Sequence, residues 1–226
     1  SLLELSDTNS KTLRELADKA PGTFQHSLQV ANIAEAAANA VGANTLLTRV
    51  GALYHDIGKM KNPVFFSENQ ASYSPYDELE PEVSSKIIIE HVLNGIALAR
   101  KVKLPDRVLD FIRTHHGTTT VLYFLQQAQQ ENPDVNPALF QYPGPKPFSK
   151  ETAIVMIADG VEAASKSLKE PTAEKIIAFV DKIVQRLMDE KQFVEANITL
   201  REIETIKKVL AEKLISSYHL RVAYPD

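Results

Sequence analysis

The sequence contains no cysteine in its 226 residues. Disulfide bonds and thiolate metal sites are therefore excluded, and any metal ion must be held by nitrogen and oxygen ligands. No apolar run approaches the ~20 residues needed to span a bilayer, and the N-terminus lacks the pattern of a signal peptide. The chain begins without methionine, which indicates part of a longer protein. We therefore expect a soluble piece of a larger chain.

The charge is also low, with a formal net charge of −4. This balance argues against a large surface for a nucleic-acid polymer. It does not exclude a small phosphate ligand, because bound metal ions can supply local positive charge. With 44% hydrophobic and 24% charged residues, the composition is that of an ordinary globular protein. The length suits one domain covering residues 1–226.

Apolar residues recur at helical spacing along the chain, which predicts an all-α protein. The first predicted helix begins at Pro21 and ends near Gly42. The second begins at Leu46 and ends near Gly58. The others cover about 82–101, 105–116, 118–130, 149–168, 172–190 and 199–217. Two proline-containing segments, 61–81 and 131–148, are predicted to be long loops. Functional loops commonly lie on a rigid scaffold, so both are candidates for walls of a substrate site.

Five of the six histidines fall at positions that the helical pattern turns inward. They are His26, His55, His91, His115 and His116. One inward histidine is more often a hydrogen-bonded core residue than a ligand, and His115–His116 alone could be a surface feature at a helix end. The sixth, His219, is interpreted as structural or exposed.

Two aspartates accompany these histidines. The neighbouring side chains of His55 and Asp56 point about 100° apart on a helix, at ~3.6 residues per turn, so they could straddle one ion. Asp56 has two oxygens and could bridge a second ion. Asp159 follows an apolar run, where a carboxylate is costly unless it is paired, for example with a lysine, or ligates a metal. The joint pattern favours a metal site over separate explanations for each residue.

At these residues the sequence resembles the HD superfamily of metal-dependent phosphohydrolases. The closer resemblance is to the cytoplasmic catalytic domain of the seven-transmembrane HD phosphodiesterases. The segments that carry it are Pro-Gly-Thr-Phe-Gln-His (21–26), Gly-Ala-Leu-Tyr-His-Asp-Ile-Gly-Lys-Met (51–60), Phe-Ile-Arg-Thr-His-His-Gly-Thr (111–118) and Tyr-Pro-Gly-Pro (142–145). The likeness covers nearly the whole chain. It implies an HD-type helical bundle with two long loops.

The resemblance implies two metal sites that share Asp56. The ligands of one would be His26, His55, Asp56 and Asp159, and those of the other Asp56, His91, His115 and His116. It points to iron or manganese, and to hydrolysis of cyclic di-AMP to linear pApA by a hydroxide that bridges the metals. It also implies a cytoplasmic location, with membrane attachment only through parts of the parent protein outside this chain.

Substrate contacts are predicted around this centre. Asp56 and Lys59 are the predicted catalytic residues, and the Lys59 ammonium could contact a phosphate oxygen. Lys166 is a weaker candidate for a phosphate contact. Tyr76 and Tyr142 lie in the two loops and could stack on adenine.

Three alternatives remain open. The first is an HD phosphohydrolase that acts on another nucleotide, because substrate choice lies in the loops. A branch acting on cyclic di-GMP is disfavoured, since His116 is followed by Gly-Thr-Thr-Thr rather than Gly-Tyr-Pro. The second is a di-iron oxygenase, against which the adjacent His115–His116 pair argues. The third is a metal-dependent ligand sensor without turnover.

Overall fold

The computed structural model describes residues 1–219, which contain ten α-helices. They are α1 (Leu2–Leu5), α2 (Lys11–Lys19), α3 (Pro21–Ala40), α4 (Thr45–Tyr54), α5 (Pro81–Lys101), α6 (Asp106–Thr114), α7 (Leu122–Glu131), α8 (Lys150–Ser165), α9 (Ala173–Asp189) and α10 (Leu200–Ser217). Short 3-10 helices cover Ile57–Lys61, Pro63–Phe65, Ser67–Asn69, Pro75–Glu78 and Pro137–Phe140. Extended pairing within residues 1–219 is limited to one antiparallel bridge between Thr120 and Gln141. The all-α prediction is confirmed.

Helices α3 and α8 form the centre of the fold. Helix α3 packs against α2, α4, α8 and α10. Its small buried residues, such as Ala31, Ala34 and Ala38, let these neighbours approach closely. Helix α8 is buried on nearly all sides, as expected of a helix that is apolar around its circumference. Because His26 lies on α3 and Asp159 on α8, two central and extensively buried helices position both residues.

The two long loops are more ordered than the sequence pattern predicts. Segment 61–81 contains the end of one 3-10 helix and three complete ones, and segment 131–148 contains a fifth. A small apolar cluster joins the second segment to α7, with Phe140 fully buried against Phe124 and Leu125. No α-helix in residues 1–219 is both long enough and apolar enough to cross a membrane.

Four predicted helix boundaries are wrong by a few residues, and one of them is the end of α8, which lies at Ser165 rather than 168. Helix α4 ends at Tyr54 rather than near Gly58, and α6 ends at Thr114 rather than 116. Helix α7 begins at Leu122 rather than at residue 118. The His–Asp pair and the His–His pair therefore lie in the turns just after α4 and α6, not within regular helix.

A glycine contact fixes the turn after α4. A Cβ on Gly58 would lie 1.8 Å from the His91 carbonyl oxygen and 2.5 Å from the Gly95 backbone nitrogen on α5. Only a residue without a side chain permits this close approach. Gly58 therefore seats the segment that follows Asp56 directly against the helix that carries His91.

Candidate metal centre

Asp56 is the centre of a buried cluster of histidines. Its Oδ1 lies 3.3 Å from Nε2 of His91 and 3.2 Å from Nε2 of His115. Its Oδ2 lies 3.3 Å from Nε2 of His55 and 3.7 Å from Nε2 of His26. The two oxygens of one carboxylate therefore face two different pairs of imidazoles.

Asp159 and His116 complete two groups of four. Asp159 Oδ1 lies 2.7 Å from His26 Nε2 and 3.3 Å from His55 Nε2. In each group, one potential ligand atom per residue lies within 4.8 Å of all the others. The groups are His26, His55, Asp56 and Asp159, and Asp56, His91, His115 and His116. The structure thus brings together all seven residues that the sequence singled out as candidate ligands.

Hydrogen bonds orient three of the imidazoles. In each, Nδ1 lies against the backbone carbonyl oxygen of the residue three positions earlier, and the pairs are His55 with Ala52, His91 with Ile88, and His115 with Ile112. A carbonyl oxygen only accepts, so Nδ1 carries the proton and donates it. When the ring is neutral, Nε2 is therefore the unprotonated nitrogen, and in all three residues it points toward Asp56, as in metal-ligating histidines.

A bound cation explains the positions of these donor atoms better than interactions among the protein atoms alone. The Nε2 atoms of His91 and His115 lie 3.2 Å apart, so two lone pairs face each other. Asp56 Oδ1 is buried and has no hydrogen-bond donor within residues 1–219. An uncompensated buried carboxylate oxygen is costly. A cluster of imidazole and carboxylate donors that meet in this way could hold metal ions of the transition series.

The cluster keeps its carboxylates ionised. Burial raises the pKa of Asp56, but the nearby His55 and Lys59 outweigh it and hold that pKa well below its usual range. Burial also raises the pKa of Asp159, but His55 and His26 outweigh it and hold that pKa well below its usual range. Burial lowers the pKa of His26, yet hydrogen bonds to Asp159 and Glu162 raise it to about 9. The carboxylates therefore carry full negative charge, and a cation can neutralise it.

Lys59 lies at the edge of the cluster. Its Nζ is 3.1 Å from Asp56 Oδ2 and 2.7 Å from Glu68 Oε1. Burial lowers the lysine pKa, but the two carboxylates raise it above its ordinary value, so the ammonium stays charged. Glu68 also accepts a hydrogen bond from the hydroxyl of Thr23 at the start of α3. The first long loop is thereby tied to the candidate metal centre.

An open cleft of about 960 Å³ leads to the cluster. Its lining includes His26, His115, His116, Asp159 and Lys59. Away from them, the cleft runs along one face of α8 and one face of α9. The α8 face presents Gly160, Ala163 and Ala164, Lys166 and Ser167 follow just after the end of that helix, and the α9 face presents Ile183, Arg186 and Leu187. The volume suits a ligand of nucleotide size.

The predicted substrate contacts differ in where the structure places them. Lys59 and Lys166 line the cleft, and Lys166 Nζ lies 3.1 Å from Glu162. Tyr142 is buried and stacks on His116, with ring centroids 4.2 Å apart and planes 13° apart. Tyr76 packs edge-on against Phe65 and Phe124. The two tyrosines are not among the residues that line the cleft, and their stacking on a base stays a prediction.

Sequence reasoning missed Glu162, Glu68 and Arg186. Glu162 is 3% exposed and contacts His26 Nδ1. Its position three residues after Asp159 on α8 places it on the same helix face, which is a usable signal. Glu68 and Arg186 gave no such signal, because a loop and a neighbouring helix bring them to the cleft. His219 is exposed, as interpreted from the sequence.

The fold and the cluster together define an all-α protein with a buried His–Asp centre able to hold metal ions. A family model described as "HD domain" matches residues 23–164. The chain belongs to the HD domain family. The match spans α3 to most of α8, which includes every residue of the two four-residue groups.

Known proteins resemble the chain over its whole length. It is 44% identical over 226 residues to the cyclic-di-AMP phosphodiesterase PgpH of Bacillus subtilis and 45% identical to that of Listeria monocytogenes. All of this chain aligns, but it spans 32% of either relative. The crystal structure of the L. monocytogenes PgpH HD domain in complex with cyclic-di-AMP superposes with a TM-score of 0.91 at 45% identity. That alignment covers 95% of this chain and all of the other.

Proposed function

We propose that this chain is the catalytic domain of a cyclic di-AMP phosphodiesterase that produces linear pApA. The observation that carries the proposal is Asp56, whose two oxygens each face a separate group of imidazoles. The PgpH relatives support the substrate, since their names and the cyclic-di-AMP complex refer to this dinucleotide. The cytoplasmic location implied by the resemblance stays a prediction.

We assign the seven clustered residues to two metal ions. His26, His55 and Asp159 would hold one ion, His91, His115 and His116 the other, and Asp56 both. Nitrogen and carboxylate donors suit iron or manganese better than magnesium or calcium. When bound, a pair of such ions supplies an activated water and positive charge for the oxygens of a phosphodiester.

The chain's own residues position the substrate for this reaction. Lys59 is charged and held by Asp56 and Glu68 at the edge of the cleft, where its ammonium can donate to a phosphate oxygen. Hydrolysis adds one water at phosphorus and breaks the bond to the 3′ oxygen, which leaves a 5′ phosphate on the linear product. Tyr142 covers one face of His116 and excludes water from that side of the centre.

The far part of the cleft suits the remainder of the dinucleotide. Gly160, Ala163 and Ala164 leave a shallow floor on α8, and Ile183 on α9 is an apolar wall. A flat base can lie on such a surface. Arg186 lines the same region, and its guanidinium would supply paired N–H donors for the second phosphate.

A substrate panel tests the proposal. Purified protein loaded with Mn²⁺ or Fe²⁺ is incubated with cyclic di-AMP, cyclic di-GMP and linear pApA, and the products are separated by chromatography. We expect cyclic di-AMP to be converted to pApA with a higher kcat/KM than the guanine compound. A preference for cyclic di-GMP, or hydrolysis of linear pApA alone, would contradict the assignment.

A further inference from the structure

Glu162 distinguishes one half of the candidate metal centre from the other. It lies on α8, one turn after Asp159, and its side chain is almost fully buried. One carboxylate oxygen contacts Nδ1 of His26, and the other lies 3.1 Å from the exposed ammonium of Lys166. The carboxylate therefore reaches from the wall of the cleft to the back of a candidate ligand.

The other hydrogen-bonded imidazoles have a different partner. Nδ1 of His55, His91 and His115 donates to a neutral backbone carbonyl. His26 alone among these four meets a carboxylate at Nδ1. A charged acceptor makes a stronger hydrogen bond than a neutral one and increases the basicity of the opposite ring nitrogen. That nitrogen, Nε2, is the atom that faces Asp159 and Asp56.

The negative charge is also concentrated on the side of the cluster that contains His26. The half with His26 contains Asp159 and a share of Asp56, with Glu162 directly behind the imidazole. The half with His91 contains three imidazoles and a share of Asp56. Within the residues that the structure describes, no carboxylate hydrogen-bonds to Nδ1 of His91 or His115.

We propose that Glu162 is a positioning residue for His26, so that ion binding in the His26 half depends on Glu162 and binding in the His91 half does not. The proposal rests on the metal centre of the proposed function. Glu162 fixes the ring so that Nδ1 donates and Nε2 is free for the ion. Without it, the imidazole of His26 can rotate or protonate at either nitrogen.

Calorimetric titration with Mn²⁺ tests this inference without relying on activity. Loss of an outer hydrogen-bonding partner typically lowers metal affinity about 10–100-fold. Glu162→Ala should lower the affinity for one of two Mn²⁺ ions by about that factor and change the affinity for the other less than about twofold. Glu162→Gln keeps the size and an acceptor oxygen, so it should give a smaller loss. Glu151→Ala, in the first turn of the same helix, is the matched control and should change neither ion.

Two backgrounds locate the affected ion. In His91→Ala protein, the ion with the higher affinity is the one in the His26 half. Adding Glu162→Ala to this protein should lower that affinity by about 10–100-fold. In His26→Ala protein the same addition should change Mn²⁺ affinity less than about twofold, because the two residues act through one contact. Circular dichroism checks that helix content is unchanged, and Glu162→Gln replaces the alanine variant if that variant does not fold.

The outcomes separate this proposal from the proposed function. Equal weakening in both backgrounds, or no weakening in either, would overturn the positioning role. Turnover of cyclic di-AMP by the unaltered protein is measured independently. Its absence would contradict the proposed reaction while leaving the Mn²⁺ result for Glu162 intact.

Discussion

Replacing Asp56 with asparagine tests whether one carboxylate serves two ions. The side chain is 1% exposed, and four imidazole Nε2 atoms lie within 3.7 Å of its two oxygens. Asparagine keeps the shape but offers one neutral carbonyl oxygen in place of two charged ones. We expect two ions per chain in the unaltered protein and at most one in Asp56→Asn.

The magnitude follows from binding linkage. An ion at a free concentration of 100 times its Kd stabilises the folded state by about 2.7 kcal/mol, so two ions contribute about 5 kcal/mol. For a domain of this size, each kcal/mol raises Tm by roughly 2–4 °C. Saturating Mn²⁺ should therefore raise the Tm of the unaltered protein by about 10–20 °C. With one ion or none, Asp56→Asn should gain at most about half of that.

The assay combines elemental analysis, scanning calorimetry with and without Mn²⁺, and turnover of cyclic di-AMP. Turnover should fall at least about a hundredfold, because the metal pair supplies several kcal/mol and each 1.36 kcal/mol is a factor of ten. His219→Ala removes an exposed imidazole outside the cluster and should leave all three measurements unchanged. An Asp56→Asn protein that keeps two ions and full turnover would refute the bridging role.

Two further substitutions test the scaffold and the cleft. Gly58→Ala places a Cβ 1.8 Å from the His91 carbonyl oxygen, so α5 must move. We expect a loss of about 3 kcal/mol, or roughly 6–12 °C in Tm, whereas Gly160→Ala, whose Cβ meets nothing nearer than 3.6 Å, should not lower Tm. Equal Tm values for these two variants would contradict the close approach. Arg186→Ala should raise KM for cyclic di-AMP about tenfold or more and leave hydrolysis of bis(p-nitrophenyl) phosphate, which has one phosphate, unchanged. An equal loss on both substrates would place Arg186 outside the proposed second-phosphate contact.

The sequence predicted the helical class and all seven clustered residues for a physical reason. Polar residues such as His26 and Asp159 interrupt buried apolar stripes, and burial without a partner is costly enough to mark them. Helix ends were predicted less well. The turns after Tyr54 and Thr114 depend on tertiary contacts such as that of Gly58 with α5, which periodicity does not contain.

Residues outside the cluster were harder to predict because packing alone brings them there. Glu68 reaches Lys59 through a loop held on Thr23, and Arg186 reaches the cleft from α9. The ring of Tyr142 packs against His116, and its stacking on a base stays a prediction. A loop aromatic residue has no periodic neighbours that would indicate which way its ring turns.

The pairing of His26 with Asp159 also has a consequence for the unfolded chain. These residues are 133 positions apart, and the sequence has no cysteine with which to cross-link them covalently. An ion held by both would hold the two ends of that segment together in the folded state, and its binding would favour the folded state over the unfolded chain. The ion would then link α3 and α8 reversibly. Chelation should accordingly make the protein more sensitive to proteases, even where helix content at equilibrium is unchanged.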